Sequence, residues 1–339
     1  MQAVSHQKKP TLVVGFFLCE ENHICAIIFG VYVNKGIFMK KCCVVIVTYN
    51  AEKWVDVCLG PLVNLPKDMS VVVVDNLSSD MTVDIIKKKY KFVKLFETGE
   101  NLGFGRANNV GIQWAYDNGF EHIFLLNQDA CIDIDALYKL CELQSKYPEY
   151  YCLSPMNYVA ENKLEKNFVS YLEQSGLTDI VKNPIKDTYD IKTTAAALWM
   201  LSRKCIEIVG AFNPSFLHYA EDSNYVQRIF WHGGKMGLAP KIVAYHYRAE
   251  SEAKKSHFTT MKATWRAVVY DLSDPNITNN KMRVKWYFRL FQRWFLSGVS
   301  FNFKKASIYF QLLKKLHREK DEIYKNKIIS CGVGAFIKK

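Results

Sequence analysis

The chain has 339 residues, 49% of them hydrophobic and 23% charged, an ordinary globular balance in which disorder is not the default. Its formal net charge of +12 points to an anionic partner (nucleic acid, an anionic membrane surface or a phosphorylated substrate) without choosing among them. Ten cysteines are scattered with no C-x-x-C pair, which leaves a zinc ribbon or thioredoxin-type dithiol without support.

Cys42, Cys43 and Cys152 lie inside apolar runs and read as small buried hydrophobes, a usage that suits a reducing, cytosolic compartment. Two apolar runs at 11–18 and 24–33 are split by Glu20-Glu21-Asn22-His23. That break spoils both a signal-peptide core and a membrane span of about 20 residues. Residues 1–38 are therefore expected to be an extension detached from the core, upstream of an alternative start at Met39.

Residues 42–48 (CCVVIVT) form a continuous β-branched run, as expected of a strand buried on both faces. The run leaves through Tyr49-Asn50 into a helical stretch from about residue 53, broken at Gly60-Pro61. A second buried strand at 71–74 ends at Asp75-Asn76, and Ser78-Ser79-Asp80 supplies capping residues for a helix over 82–90. A short third strand at 92–96 leads into a loop containing Gly103 and Gly105. Apolar spacing predicts a helix over 107–116, capped by Asn118-Gly119. The fourth strand, 122–126, runs into Asn127-Gln128-Asp129, and Asp133 caps a helix reaching about residue 143.

Four strand–helix alternations predict an α/β, Rossmann-like sheet whose polar strand tips converge at one edge, where such sheets bind ligands. Asp129 is placed there to hold a cation or a ribose hydroxyl. Asn127 and Asp129 could serve as turn formers alone, but the convergence of several polar tips favours a ligand site. Beyond residue 151 the pattern changes. Strands are expected at 168–173 and 193–202, a short helix at 203–209, a helix at 224–231 and a final strand at 242–247 carrying His246. Between them an aromatic stretch, 216–220, runs into Glu221-Asp222. From about residue 256 the chain turns basic, aromatic and helical, and 281–296 (KMRVKWYFRLFQRWFL) has the composition of an interfacial helix. The alternative is a helical layer with a merely solvated basic face. No nucleic-acid-binding motif accompanies the charge.

Several stretches, taken in order, resemble family 2 glycosyltransferases. They are Val47-Thr48-Tyr49-Asn50, Val74-Asp75-Asn76-Leu77-Ser78-Ser79-Asp80, the run from Asn101 to Gly111 (NLGFGRANNVG), Leu126-Asn127-Gln128-Asp129, and Glu221-Asp222 followed by His246. The likeness covers roughly residues 40–250 and is nearest to the rhamnosyltransferase-like branch that builds bacterial surface polysaccharides. It implies a GT-A fold, an open mixed sheet flanked by helices, over 39–255, with a nucleotide-binding half (39–130), an acceptor half (131–255) and a C-terminal helical region (256–339). It implies inverting transfer of a sugar, rhamnose in the nearest branch, from a nucleotide-diphosphate donor to a glycan or lipid-linked acceptor. The expected setting is cytoplasmic, peripheral on the inner face of a membrane and its anionic surface, with no nucleic acid partner.

By the same resemblance, Thr48, Tyr49, Asn50, Asp75, Gly103, Arg106, Asn108, Asn127 and Asp129 contact the nucleotide sugar. Arg106 is either a diphosphate contact or a solvated first-turn residue. Asp222 is the base that takes the acceptor proton and Glu221 orients the acceptor, with the reverse assignment open. A departing diphosphate needs a divalent cation or fixed positive charge. Asp129 suits Mg²⁺ or Mn²⁺, and His246 adds an imidazole that Mn²⁺ accepts more readily. Without the family pattern His246 reads as a core histidine. The family's metal motif usually carries a second acid where Asn127 or Gln128 stands, so activity is expected to need higher metal concentrations. The rival reading is a non-catalytic sugar-nucleotide or glycan-binding scaffold.

Overall fold

The computed structural model describes residues 41–217, 219–247, 260–277 and 281–338; the expected N-terminal extension lies outside them. In chain order the elements are β1 (Cys42–Thr48), α1 (Val55–Leu59), β2 (Met69–Asp75), α2 (Thr82–Lys89), β3 (Lys94–Glu97), α3 (Phe104–Asp117), β4 (His122–Asn127), β5 (Ala130–Cys131) and α4 (Ile134–Lys146). They continue with β6 (Tyr150–Ala160), β7 (Lys163–Leu164), α5 (Lys166–Ser175), β8 (Tyr189–Asp190), β9 (Leu198–Ser202), α6 (Arg203–Ile208), α7 (Glu221–Trp231) and β10 (Lys235–His246). Three helices close the chain: α8 (Thr260–Ser273), α9 (Lys281–Val299) and α10 (Phe303–Cys331).

The strands form one mixed sheet in the order β3-β2-β1-β4-β9-β6-β10-β5, with β7 beside β6 and β8 beside β10. The first four strands are mutually parallel where they pair. β9 runs antiparallel to β4 and β6, and β10 is parallel to β6. Six strands, β1–β4, β6 and β10, therefore point their C-terminal ends at one edge. β1 is central and both of its faces are buried, which explains its unbroken apolar run. Cys42, Val44 and Ile46 face the layer of α1, α2 and α4. Cys43 and Val45 face α3, α5, α6 and α7. α3 lies so close to β1 that a Cβ on Gly111 would stand 2.3 Å from a methyl of Val45.

Two sequence expectations change. Residues 168–173 are helical, not extended. Phe168 and Leu172, four apart, bury one face of α5, Glu165 caps it by accepting from the N–H groups of Asn167 and Phe168, and Gly176 ends it left-handed at φ 70°. The strand expected over 193–202 is regular only from Leu198. Helices α8, α9 and α10 enclose a separate small core of Val268, Trp286, Leu290, Tyr309, Leu312 and Leu316. No helix of the described residues is long and apolar enough to cross a membrane.

Candidate active site

Parallel register brings the first three polar tips into one row. Thr48 pairs with Asp75 and Val47 with Asn127. Asp75 Oδ1 accepts from Thr48 Oγ1 (2.9 Å) and Ser78 Oγ (2.5 Å), and its Oδ2 accepts from the Ser78 N–H (2.9 Å). Three of the four acceptor positions of this buried carboxylate are thus engaged by protein. The Asn50 N–H donates to Ser78 Oγ, and its Oδ1 accepts from the Ser79 N–H (2.8 Å). Tyr49 is 47% exposed at the rim. Its N–H donates to Gln128 Oε1 (2.7 Å), so Gln128 ties the β1 and β4 tips together, a role for which its sequence position gives no signal.

Past Asn127 the chain crosses the sheet edge and pairs, as β5, with the end of β10, Ala130 opposite His246. The Tyr247 N–H donates to Asp129 O (2.9 Å), so Asp129 and His246 meet by backbone register. His246 Nε2 lies 3.4 Å from Asp129 Oδ1 and 3.4 Å from the Asn127 amide nitrogen. Two ligands of one octahedral ion, each at about 2.0–2.1 Å, stand about 3 Å apart, so this pair fits a divalent cation between its donors. Among the described residues no third His, Cys, Asp or Glu joins them, so an ion held here would take its further ligands from water or a bound molecule, as Mg²⁺ sites commonly do. His246 Nδ1 is buried without a partner among the described residues. The imidazole thus lacks the usual outer hydrogen bond that fixes a metal ligand.

Beyond Asp75-Asn76, α3 begins after Gly103, whose φ of +78° and position leave no room for a side chain: a Cβ would stand 2.1 Å from Leu217 O. Arg106 donates from Nε (3.0 Å) and Nη2 (2.6 Å) to Pro214 O. Asn109 clamps Phe212 both ways, Nδ2 to Phe212 O (2.8 Å) and Phe212 N–H to Oδ1 (2.7 Å). Asn108 is buried and donates to Phe104 O. The side chains of Arg106 and Asn108 therefore hold backbone here, where the resemblance expects donor contacts. From below, α10 braces the same loop through Asn326 Nδ2 to Ser215 Oγ (2.9 Å).

The braced loop ends in two consecutive left-handed residues, Tyr219 (φ 66°) and Ala220 (φ 71°), a strained arrangement for non-glycine residues. It delivers Glu221 and Asp222 into the first turn of α7. Burial pushes the Glu221 carboxyl up to about 7, with the negative charge of Asp222 adding and Arg266 opposing. Its Oε2 has no hydrogen-bond partner among the described residues. Burial also raises Asp222, opposed by hydrogen bonds from Ser223 and from the backbone of Ala196. The next residue, Ala197, accepts from the Asn127 N–H (2.9 Å). The two-residue segment Ala196-Ala197 thus runs from Asp222 to the β4 tip.

Residues 43–207 match the family model Glycosyl transferase family 2. The dTDP-rhamnosyl transferase RfbF of Shigella flexneri is 26% identical over 223 residues, covering 62% of this chain and 70% of that protein. An N-acetylglucosaminyl-diphospho-decaprenol L-rhamnosyltransferase of Mycobacterium tuberculosis is 24% identical over 237 residues, covering 62% and 77%. The crystal structure of S. aureus TarS 1-349 in complex with UDP superposes with a TM-score of 0.50 at 14% identity, covering 83% of this chain and 92% of that one; at that distance the likeness is one of fold. The chain carries a glycosyltransferase family 2 domain over residues 43–207, on a GT-A fold, and is a nucleotide-sugar transferase similar to that family's rhamnosyltransferases.

Proposed function

We propose that the protein transfers rhamnose from a dTDP-linked donor, with inversion, to a hydroxyl of a glycan or lipid-linked oligosaccharide during surface polysaccharide synthesis on the cytoplasmic side of a membrane. The donor sugar is suggested by what the two sequence relatives are named for. The observation that supports the chemistry is the two-residue segment Ala196-Ala197, whose backbone runs from Asp222 to the Asn127 N–H at the β4 tip; it favours reading Asp222 as a base across from a diphosphate held at that tip. In this reading Thr48, Tyr49, Asn50 and Asp75 flank the nucleotide, and Gly103 lets the loop of residues 100–105 pass close to the sugar.

The acceptor oxygen attacks the anomeric carbon as the carbon–oxygen bond to the diphosphate breaks, and Asp222 takes the hydroxyl proton. Glu221, balanced between charged and neutral near pH 7, holds a neighbouring acceptor hydroxyl. Asp129 and His246 would hold Mg²⁺ or Mn²⁺, which when bound offsets the charge growing on the leaving diphosphate. The test is a thermal-shift screen of nucleotide sugars with and without Mn²⁺, since a bound donor raises apparent stability by mass action. It is followed by slow hydrolysis of the stabilising donor without acceptor. Stabilisation by dTDP-rhamnose and turnover lost in Asp222→Asn are expected. Stabilisation by UDP-sugars alone would replace the donor, and undiminished turnover in Asp222→Asn would remove the base.

A further inference from the structure

Helix α9 is apolar on two opposite faces. Trp286, Leu290 and Ser297 face α8 and α10 and are buried. On the far side Val284, Phe288, Phe291, Phe295 and Val299 follow one another at spacings of four, three, four and four residues, which keeps them on one face of a 3.6-residue helix. They are 52–66% exposed. At the turn into α10, Phe301 and Phe303 extend the patch at 80% and 69% exposure. A helix normally hides such a second face, and patches of this kind mark interaction sites.

Charge identifies the occupant. Lys285, Arg289 and Arg293, spaced four apart, form a row along one flank of the stripe. From Lys281 to Arg318 the chain holds ten Lys and Arg and no Asp or Glu, against a net charge of +12 for the whole molecule. A protein partner of ordinary mixed charge would meet that excess unpaired, and a second copy of this chain would oppose it with its own. An anionic bilayer satisfies both halves of the surface, taking the aromatic stripe below its headgroups and the bases among them. We propose that the outer face of α9, with the α9–α10 turn, is a docking surface for an anionic lipid bilayer, on which the helix lies flat. This inference is independent of the sugar-transfer reading, because it is read without a donor.

The experiment is co-sedimentation of the full chain with phosphatidylcholine vesicles with and without about 30 mol % phosphatidylglycerol, at low and high salt. Binding is expected only with phosphatidylglycerol and is expected to weaken as salt rises. Lys285→Gln/Arg289→Gln/Arg293→Gln is expected to weaken it roughly a hundredfold, at about 1 kcal/mol per base near an anionic surface. Phe288→Ser/Phe291→Ser/Phe295→Ser is expected to abolish it while the melting temperature holds, because these side chains lie outside the buried core. Equal binding to neutral vesicles, binding unchanged by the phenylalanine substitutions, or a dimer in solution that those substitutions split would each overturn the proposal.

Discussion

Glu221→Gln keeps the shape of a buried carboxyl and removes its titration. Glu221 is 6% exposed, and its pKa rises from 4.5 to about 7 on folding. The folded state therefore holds its proton more tightly than the unfolded chain. Below the unfolded value both states are protonated and the burial penalty on the charged form is absent. As pH climbs, the unfolded chain ionises first and stability falls by about 1.36 kcal/mol per unit, until the folded carboxyl also ionises. The accumulated loss by about pH 8 is about 3 kcal/mol. Glutamine escapes it, so in urea unfolding the variant's stability advantage over the parent should grow by that amount between about pH 4.5 and about pH 8. Taking the difference cancels the titrating groups that do not interact with Glu221. A difference flat to within about 0.5 kcal/mol would refute an ionisable carboxyl held in that pocket. The same substitution should lower transfer activity, a gain in stability bought with function.

Four other substitutions test the site. Asp222→Asn should lower kcat by about 10²–10⁴-fold with the donor KM unchanged, read by release of nucleoside diphosphate. In Asp129→Asn the additional stabilisation that Mn²⁺ gives in the presence of donor should disappear, measured by thermal shift against a Ca²⁺ control. Gly103→Ala, forced against Leu217 O at 2.1 Å, should cost at least about 2 kcal/mol in chemical denaturation. Arg106→Ala frees Pro214 O; kcat should fall with little change in donor affinity by titration calorimetry, whereas a diphosphate contact would weaken donor binding directly.

The strands of the first half were legible because each is buried on both faces and so carries an unbroken apolar run. Their polar ends marked the shared C-terminal edge for the same reason, since the run stops where burial stops. α5 was misread because Phe168, Val169, Tyr171 and Leu172 are apolar enough for a strand, and its helical character lies in Glu165 and Gly176 outside the run. The clamp on the loop before Glu221 was not legible at all. Arg106 and Pro214 are 108 residues apart, and a side chain that ends on a backbone carbonyl leaves no pattern in its partner's identity. The pairing of Asp129 with His246 was reached through family resemblance; nothing in local spacing foretells that β5 crosses the edge to β10.

That crossing bears on when the site comes into being. β1, β2 and β4 can assemble from the first 127 residues, but Asn127 and His246 are 119 positions apart and meet only after β9, β6 and β10 have been laid down beside β4. Closing so long a loop is entropically slow and comes late in folding. The corner where Asp129 meets His246 is thus expected to be the last part of the edge to form, and in the proposed reading an ion or donor held there selects chains whose sheet is complete. On the proposed reading, a chain ending before residue 246 would keep the tips of β1, β2 and β4 and lack the partner of Asp129. If Asp129 and His246 hold the cation as proposed, action on the donor has to wait until β10 has docked.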